Sequence, residues 1–526
     1  MAEQVLVCDA STVVKGPSRA DDPSETLPGR SRSYREMLKS TAMIGGSSVI
    51  NVVIGMLRTK VMALLLDPAG YGVLGAFVQI TDLARSVAQM GINASGVRQI
   101  AEAVGSGDQQ RAALTITVLR RVSLVCGLIG ALLLCALAGP VAMLTFGNHR
   151  YEDAIRLLGV ATFLSVVAGG QGALLQGMRR IGDLARLAII GGVMGTVVSI
   201  PMVFLLGTDG LAPSLVIVAA ATLLASWWHC RRINVDVPHI TLANAARESA
   251  SLLKLGFAFM GSGLIMTAAS YLVRTIVMRK SGLDAAGAYY AAWTLGGLYL
   301  GFVLQALATD FYPRLVGVIQ DNDECNRLVN EQAHVSMLVA IPGILFTLTI
   351  ASTAVKIFYS AKFGPAVVAL QWICMGMAVR VLSWPIGYIV AAKNRQVIFF
   401  TLEVVWAVIN VSLTWWGVDH MGVSGAGVAF LGANLVHLAI IYPLVNRITG
   451  FRWTEVNRRT ALVFLVALSS AFMGMQFLPP VQATVLGLVA TAGSCAYSLD
   501  ALLRLGAYQS LPAGMARRFR QWRKKQ

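Results

Sequence analysis

Charged side chains set inside long apolar runs are the residues of this chain with chemistry to offer. Arg58 and Lys60 fall in one such run, Asp82 and Arg85 in the next, and Arg274, Arg380, Glu403 and His437 in later ones. An ionisable group in hydrocarbon costs at least a few kcal/mol unless it faces a cavity or a partner. Asp82 and Arg85 stand three apart on one helical face, a spacing at which they can pair locally. Arginine presents a planar fork of donors that suits phosphate oxygens two at a time. Arg58, Lys60, Arg85, Arg274 and Arg380 therefore read as the lining of a cationic cavity for phosphate or pyrophosphate. Asp82 and Glu403 read as groups that could titrate in response to an H+ or Na+ gradient. Plainer readings stand beside these: Lys60 snorkelling from a span end, Asp82 and Arg85 as a structural clasp, Arg380 pairing with Glu403 for packing, and His437 as a hydrogen-bonded helix contact.

The elements that carry these residues follow from composition. The chain has 526 residues, 56% hydrophobic and 13% charged, about half the charged share of an ordinary soluble domain, so a soluble multidomain protein is excluded. A spanning helix needs about 20 mostly apolar residues. Fourteen such stretches run approximately over 40–65, 72–96, 116–138, 154–177, 183–206, 209–230, 252–278, 286–309, 334–357, 364–390, 397–417, 423–446, 459–477 and 482–503. None alternates like an outer-membrane barrel strand. The expected fold is an all-α polytopic membrane protein of about 14 transmembrane helices.

Cation placement sets the expected orientation. Of the 43 Lys and Arg residues, 32 fall in the two tails and the connections on one side and 5 in those on the other, so the net charge of +17 marks the cytoplasmic face. Both termini are expected in the cytoplasm. Residues 1–35 read as a disordered tail. Residues 506–526, with Arg517, Arg518, Arg520, Arg523, Lys524 and Lys525 beside Phe519 and Trp522, read as a contact for anionic lipid, not nucleic acid. Residues 98–121 read as an interfacial helix pair with 314–332 as its counterpart. Seven scattered cysteines form no Cys-x-x-Cys pair, so no metal site is expected. No Gly-x-Ser-x-Gly, P-loop or His-Glu-x-x-His motif occurs, and the outer loops are short, so the chain does not read as an enzyme.

A repeat organises the spans. Arg58-Thr59-Lys60-Val61-Met62 matches Arg274-Thr275-Ile276-Val277-Met278, and Asp67, Ala69 and Gly70 match Asp284, Ala286 and Gly287 if one residue is inserted. Six helices per half is an even number, which implies a pseudo-two-fold axis along the membrane normal, with Arg58 and Arg274 facing each other across it. The expected division is 36–232 for an N-lobe of spans 1–6, 233–450 for a C-lobe of spans 7–12, and 451–505 for two added spans.

The run Leu38-Lys39-Ser40-Thr41-Ala42-Met43-Ile44-Gly45-Gly46-Ser47-Ser48, then Arg58-Thr59-Lys60 and Asp67-Pro68-Ala69-Gly70-Tyr71-Gly72, resembles a known family. With Gly91-Ile92-Asn93-Ala94-Ser95-Gly96-Val97-Arg98-Gln99-Ile100-Ala101 and Gln176-Gly177-Met178-Arg179-Arg180, it looks like the polysaccharide-flippase branch of the multidrug/oligosaccharidyl-lipid/polysaccharide exporter superfamily. O-antigen and exopolysaccharide repeat-unit flippases are the members it is most similar to. The long N-terminal tail and the two spans beyond twelve depart from the O-antigen pattern. The resemblance implies two six-helix lobes that alternate in access and move an undecaprenyl-diphosphate-linked oligosaccharide across the bacterial inner membrane. It implies partners among other polysaccharide assembly proteins, and it carries cavity roles to Arg58 and Arg85. Arg274 takes the same role only through the internal repeat. Competing readings are a small-molecule or drug cation antiporter of the same superfamily, whose cavity would be acidic, and a membrane-embedded glycan polymerase or ligase, which would need a large outer loop.

Overall fold

Two helices too long for one crossing bend once each, at residues with backbone angles that break a helix. The computed structural model describes residues 28–231, 233 and 242–504. Helix α1 (Pro28–Gln89) breaks at Asp67, whose φ of 53° and ψ of 178° are outside the helical region and precede Pro68. Helix α8 (Leu242–Gly317) breaks at Gly282, with φ 89° and ψ 176°. A third long apolar stretch, 181–230, is divided by a short turn at Gly207–Gly210 into α6 (Ile181–Leu206) and α7 (Leu211–Cys230). Among the described residues 11 helical stretches are long and apolar enough to span, and these three, of 40, 50 and 46 residues, are each long enough to cross twice. The total is compatible with fourteen crossings. The chain is an all-α, multi-pass membrane protein, and no strand occurs among the described residues.

The remaining helices are α2 (Ile92–Gly105), α3 (Gln109–Ala136), α4 (Ala138–Phe146), α5 (Glu152–Gly177), α9 (Asn322–Thr349), α10 (Ala351–Phe358), α11 (Pro365–Ala392), α12 (Gln396–Met421), α13 (Val423–Thr449), α14 (Glu455–Phe477) and α15 (Pro480–Arg504). Helix α1 starts at Pro28, inside the segment read as a tail, while residues 1–27 and the basic tail 506–526 lie outside the described residues. The helix pair expected over 98–121 takes a different form. One short helix, α2, ends before Gly107 at φ 75°, and the Asp108 side chain accepts from the Arg111 amide to start α3, which runs on into the span. Its expected counterpart, 314–332, holds the end of α8 and the start of α9.

The repeat is written in the backbone. The break at Asp67 recurs at Gly282, and Leu137 (φ −92°, ψ 8°) recurs at Ile350 (φ −90°, ψ 10°). Arg179 and Asn394 share a φ of 56°, and Gly207 (φ 59°, ψ −134°) matches Gly422 (φ 57°, ψ −137°). Apolar composition does not place left-handed residues at one recurring spacing, so these breaks identify the repeat better than residue matches do. They also correct its register: the counterpart of the Asp67 break is Gly282, not Asp284.

By internal contacts the chain divides into Met1–Arg279 and Lys280–Gln526. The first limb of α8 thus groups with the first unit, one span later than the 232/233 boundary that the repeat predicts. Hydrogen bonds along this limb account for the grouping. Ser95 Oγ donates to the Leu252 carbonyl at 2.9 Å, Thr115 Oγ1 to Glu248 at 2.8 Å, Thr145 and Tyr271 share a bond of 2.6 Å, and Arg279 donates to the Met143 carbonyl at 3.1 Å. In this unit α5 packs between α3 and α7. Ile92, Ile100, Ile116, Leu119, Leu174 and Leu252 form an apolar core there.

In the second unit α11 packs on α13 and α9, and α9 on α15. Helix α14 is tied to α9 through buried amides. Asn457 Nδ2 donates to the Asn330 carbonyl at 2.8 Å and to Asn330 Oδ1 at 3.0 Å, and Asn330 Nδ2 donates to the Arg452 carbonyl at 3.1 Å. Asn457→Ala leaves the buried Asn330 carbonyl and amide oxygen without these donors, an expected loss of about 1–3 kcal/mol. A lower midpoint of thermal unfolding in detergent checks it, with Ala461→Gly as a milder comparison on the same helix.

Candidate functional site

The second limb of α1 carries a polar stripe through an apolar helix. Gln79, Asp82, Arg85 and Gln89 recur at steps of three, three and four, which keeps them on one face. Arg85 Nη2 donates to Asp82 Oδ1 at 3.1 Å, the pair expected from their spacing, with about half of each side chain exposed. Arg274, on the first limb of α8, is close enough to bear on Asp82 electrostatically together with Arg85. Three of the residues singled out in the sequence are thus linked within the first unit, both arginines bearing on the one acid. Beside them Gln79 Nε2 donates to the Thr267 carbonyl at 3.5 Å, so the stripe meets α8 at two levels.

Arg58 takes a different neighbour. Its Nη2 donates to Ser199 Oγ on α6 at 3.0 Å. One turn away Gly195 leaves the room, because a Cβ there would stand 2.9 Å from Arg58 Nη1. Gly192 does the same for Asn51, whose Oδ1 would be 2.5 Å from an added Cβ. The small residues of α6 therefore form a seat for the polar side chains of the first limb of α1, a common use of small residues between membrane helices. Arg58 lies nine residues before its break and Arg274 eight before the next, about 13 and 12 Å along their helices, so the two lie at similar depths, one residue apart in the backbone register of the repeat. Lys60 is half-buried two residues beyond Arg58.

Arg380, Glu403 and His437 belong to the second unit, on α11, α12 and α13. Arg380 and Glu403 act on each other electrostatically, and Arg380 also bears on His437. The Arg380 guanidinium carbon lies 5.7 Å from the Trp406 ring centre, and Tyr388 is among the groups that act on it. Tyr388 itself packs against Trp384 at 4.8 Å and Phe311 at 5.6 Å. The charged group here is thus framed by aromatics that charge counting alone did not mark.

Reading the spans for charge passed over Gln79, Gln89 and Ser199. The signal for the glutamines is their helical register with Asp82. For Ser199 it is the stripe Gly192, Gly195, Ser199 on α6. No group of three or more His, Cys, Asp or Glu able to hold a metal occurs among the described residues.

Comparison with known proteins bears on the family and the fold. A family described as "Polysaccharide biosynthesis protein" matches residues 61–368, more than half of the chain. The chain is 22% identical over 415 residues to the lipid III flippase of Escherichia coli strain K12, covering 77% of this chain and 97% of that protein. It is also 22% identical over 430 residues to the lipopolysaccharide biosynthesis protein WzxC of the same strain, covering 80% and 83%. Among solved structures it resembles the lipid II flippase MurJ in an inward closed conformation, with a TM-score of 0.65 at 13% identity over 89% of this chain and 100% of that one. It also resembles an inward-facing multidrug resistance MATE family transporter of the MOP superfamily, with a TM-score of 0.64 at 15% identity over 77% and 98%. These likenesses establish the fold.

Proposed function

Because the chain belongs to the polysaccharide biosynthesis protein family, we propose that it is a flippase for an undecaprenyl-diphosphate-linked oligosaccharide, an O-antigen or exopolysaccharide repeat unit. It acts by alternating access in the bacterial inner membrane, with both termini in the cytoplasm. The observation that carries this reading is the Asp82, Arg85 and Arg274 cluster, two cations on one anion inside a bundle of apolar helices. Its net positive charge fits a diphosphate, and the similar depth of Arg58 extends the cationic surface. The coverage of 97% of a protein named a lipid III flippase supports the substrate class.

Arg58, Lys60, Arg85 and Arg274 take the diphosphate in the first unit, and Arg380 is a further phosphate contact within the second. The sugars occupy polar surface, and the polyprenyl chain stays in lipid. Asp82, which holds Arg85 and Arg274, is the proposed titrating group that couples this cluster to an H+ or Na+ gradient, and Glu403 is its counterpart beside Arg380. Anionic lipids at the basic C-terminal tail and other polysaccharide assembly proteins are the proposed partners. The chain moves its substrate without making or breaking a bond in it. A drug antiporter of the same fold would need acidic cavities for its cations, and the cluster has the opposite sign.

Deletion of the gene in its host is the test. Surface glycan is expected to disappear while the lipid-linked repeat unit accumulates, and plasmid-borne wild type to restore export that a protonophore slows. Loss of glycan without build-up of the lipid-linked unit would remove the reading.

A further inference from the structure

A cavity of about 290 Å³ opens beside the first turns of α14, in the second unit. Its floor is Met337 of α9, Leu382 of α11 and Leu438 of α13, and its wall is Ala461, Leu462 and Leu465 of α14. Trp453, Asn457 and Arg458 line it as well, at the level where α14 begins. From Arg458 to Leu465 the wall runs seven residues, about 10 Å along the helix. Leu462 and Leu465 are exposed on the outer surface of the bundle, so the cavity is a groove whose lip faces lipid.

The lip is strongly cationic where the apolar wall ends. Arg447, Arg452, Arg458 and Arg459 lie within thirteen residues of chain against one acid, Glu455. Glu455 pairs with Arg458, but both are more than two-thirds exposed, so the pair is open to a third group. Arg452 and Arg459 are also exposed. Trp453 is half-buried between this cationic edge and the apolar wall, as a tryptophan at a membrane–water boundary is.

We propose that this groove holds one chain of an anionic glycerophospholipid, with its phosphate on Arg458 and Arg459. An empty apolar groove facing the bilayer would forfeit dispersion contacts on one side. Water cannot supply them, and a lipid chain can. The arginines select the headgroup, because basic side chains at the surface of a bilayer attract anionic lipid. The groove is separate from the cluster proposed for the diphosphate, and it rests on the multi-pass fold rather than on the transported substrate. The bound lipid would be a resident of the second unit.

The full chain, reconstituted in phosphatidylcholine vesicles, tests this with lipids brominated on their acyl chains, which quench nearby tryptophan. The signal of Trp453 is the difference between wild type and Trp453→Phe. At equal low mole fraction, brominated phosphatidylglycerol is expected to quench Trp453 about fivefold more effectively than brominated phosphatidylcholine, the preference that one surface arginine supplies. Arg458→Gln with Arg459→Gln, both exposed positions, is expected to bring the two lipids level without changing quenching of the other tryptophans. Equal quenching in wild type would mean only ordinary surrounding lipid, and no quenching by either would mean a groove closed to lipid; each overturns the proposal. Relief of quenching by trace polyprenyl diphosphate, where excess unbrominated phosphatidylglycerol gives none, would assign the groove to the transported substrate and overturn it as well. The assay contains no glycan in its main arms, so its failure leaves the transport reading standing.

Discussion

Arg274→Ala is expected to lower flipping by about 10- to 100-fold in protein that is made and inserted normally, since a hydrogen bond to a charged group is worth about 1.5–3 kcal/mol. The loss comes from the phosphate donor that the substitution removes, with Arg85 still paired to Asp82. Arg85→Ala removes a donor too but frees Asp82 from its 3.1 Å partner, and the remaining Arg274 is then drawn to the acid. Both variants are expected to fail to a similar degree. Arg274→Lys keeps the charge without the paired donors and is expected to recover only part of the activity. Asp82→Asn releases both arginines, so substrate should bind more tightly and leave more slowly, with transport no longer responsive to a proton gradient. Transport rates and substrate affinity, measured on the same purified proteins, separate these outcomes.

Gly91→Val is expected to abolish the folded protein. Gly91 has a φ of 68°, a left-handed conformation that a β-branched residue rarely adopts. A Cβ there would also stand 2.0 Å from the carbonyl oxygen of Gly256 on α8, and one at Gly256 would stand 2.5 Å from the Met90 carbonyl oxygen. The two backbones are in direct contact, and neither can retreat along a flexible side chain. Strain and overpacking together are expected to cost about 4 kcal/mol or more. Gly172→Ala is the comparison, because a Cβ there meets nothing within 4 Å on a helix that favours alanine. Membrane yield and unfolding midpoint should fall sharply for Gly91→Val and hold for Gly172→Ala. Gly256→Ala should fall as well, since it closes the same contact from the other side.

The contact at Gly91 also shows where the sequence was silent. The apolar run over 72–96 reads as one span, yet the helix stops at Gln89, and Met90 and Gly91 both turn left-handed before α2 begins. Gly256, far along the chain, comes directly against that break. The break at Ile350 falls inside the run read over 334–357 and was equally hidden, whereas Gly139-Pro140 follow the break at Leu137, where the run over 116–138 ends. Pro201, Pro342, Pro385 and Pro443, which look like breakers, sit inside continuous helices. Their freed carbonyls are tolerated in membrane bundles. The all-helical, multi-pass class was legible because twenty apolar residues in a row have few other uses, and a count of fourteen is compatible with the helices described. The contacts of the first limb of α8 were not legible, because its hydrogen bonds join Leu252, Glu248 and Tyr271 to residues more than a hundred positions away.

The site divides in the same way. Asp82 and Arg85 could be paired on paper because helical spacing is local. Arg274 joins them only through the packing of α8 on α1, and the seat of Arg58 on Ser199 depends on the glycines of α6, which carry no charge to mark them. Uncharged Gln79 and Gln89 drew no notice, although their register with Asp82 marks the same polar face.

The most direct measurement is transbilayer movement of a lipid-linked oligosaccharide in vesicles holding only the purified chain. Substrate placed in the inner leaflet becomes accessible to an impermeant sugar-oxidising reagent outside if it is flipped. Wild type is expected to expose it, and Arg274→Ala, matched for protein content and orientation, to expose it about 10- to 100-fold more slowly. Equal rates for the two proteins would contradict the diphosphate role of the cluster, and no movement with wild type under any imposed ion gradient would contradict the flippase itself.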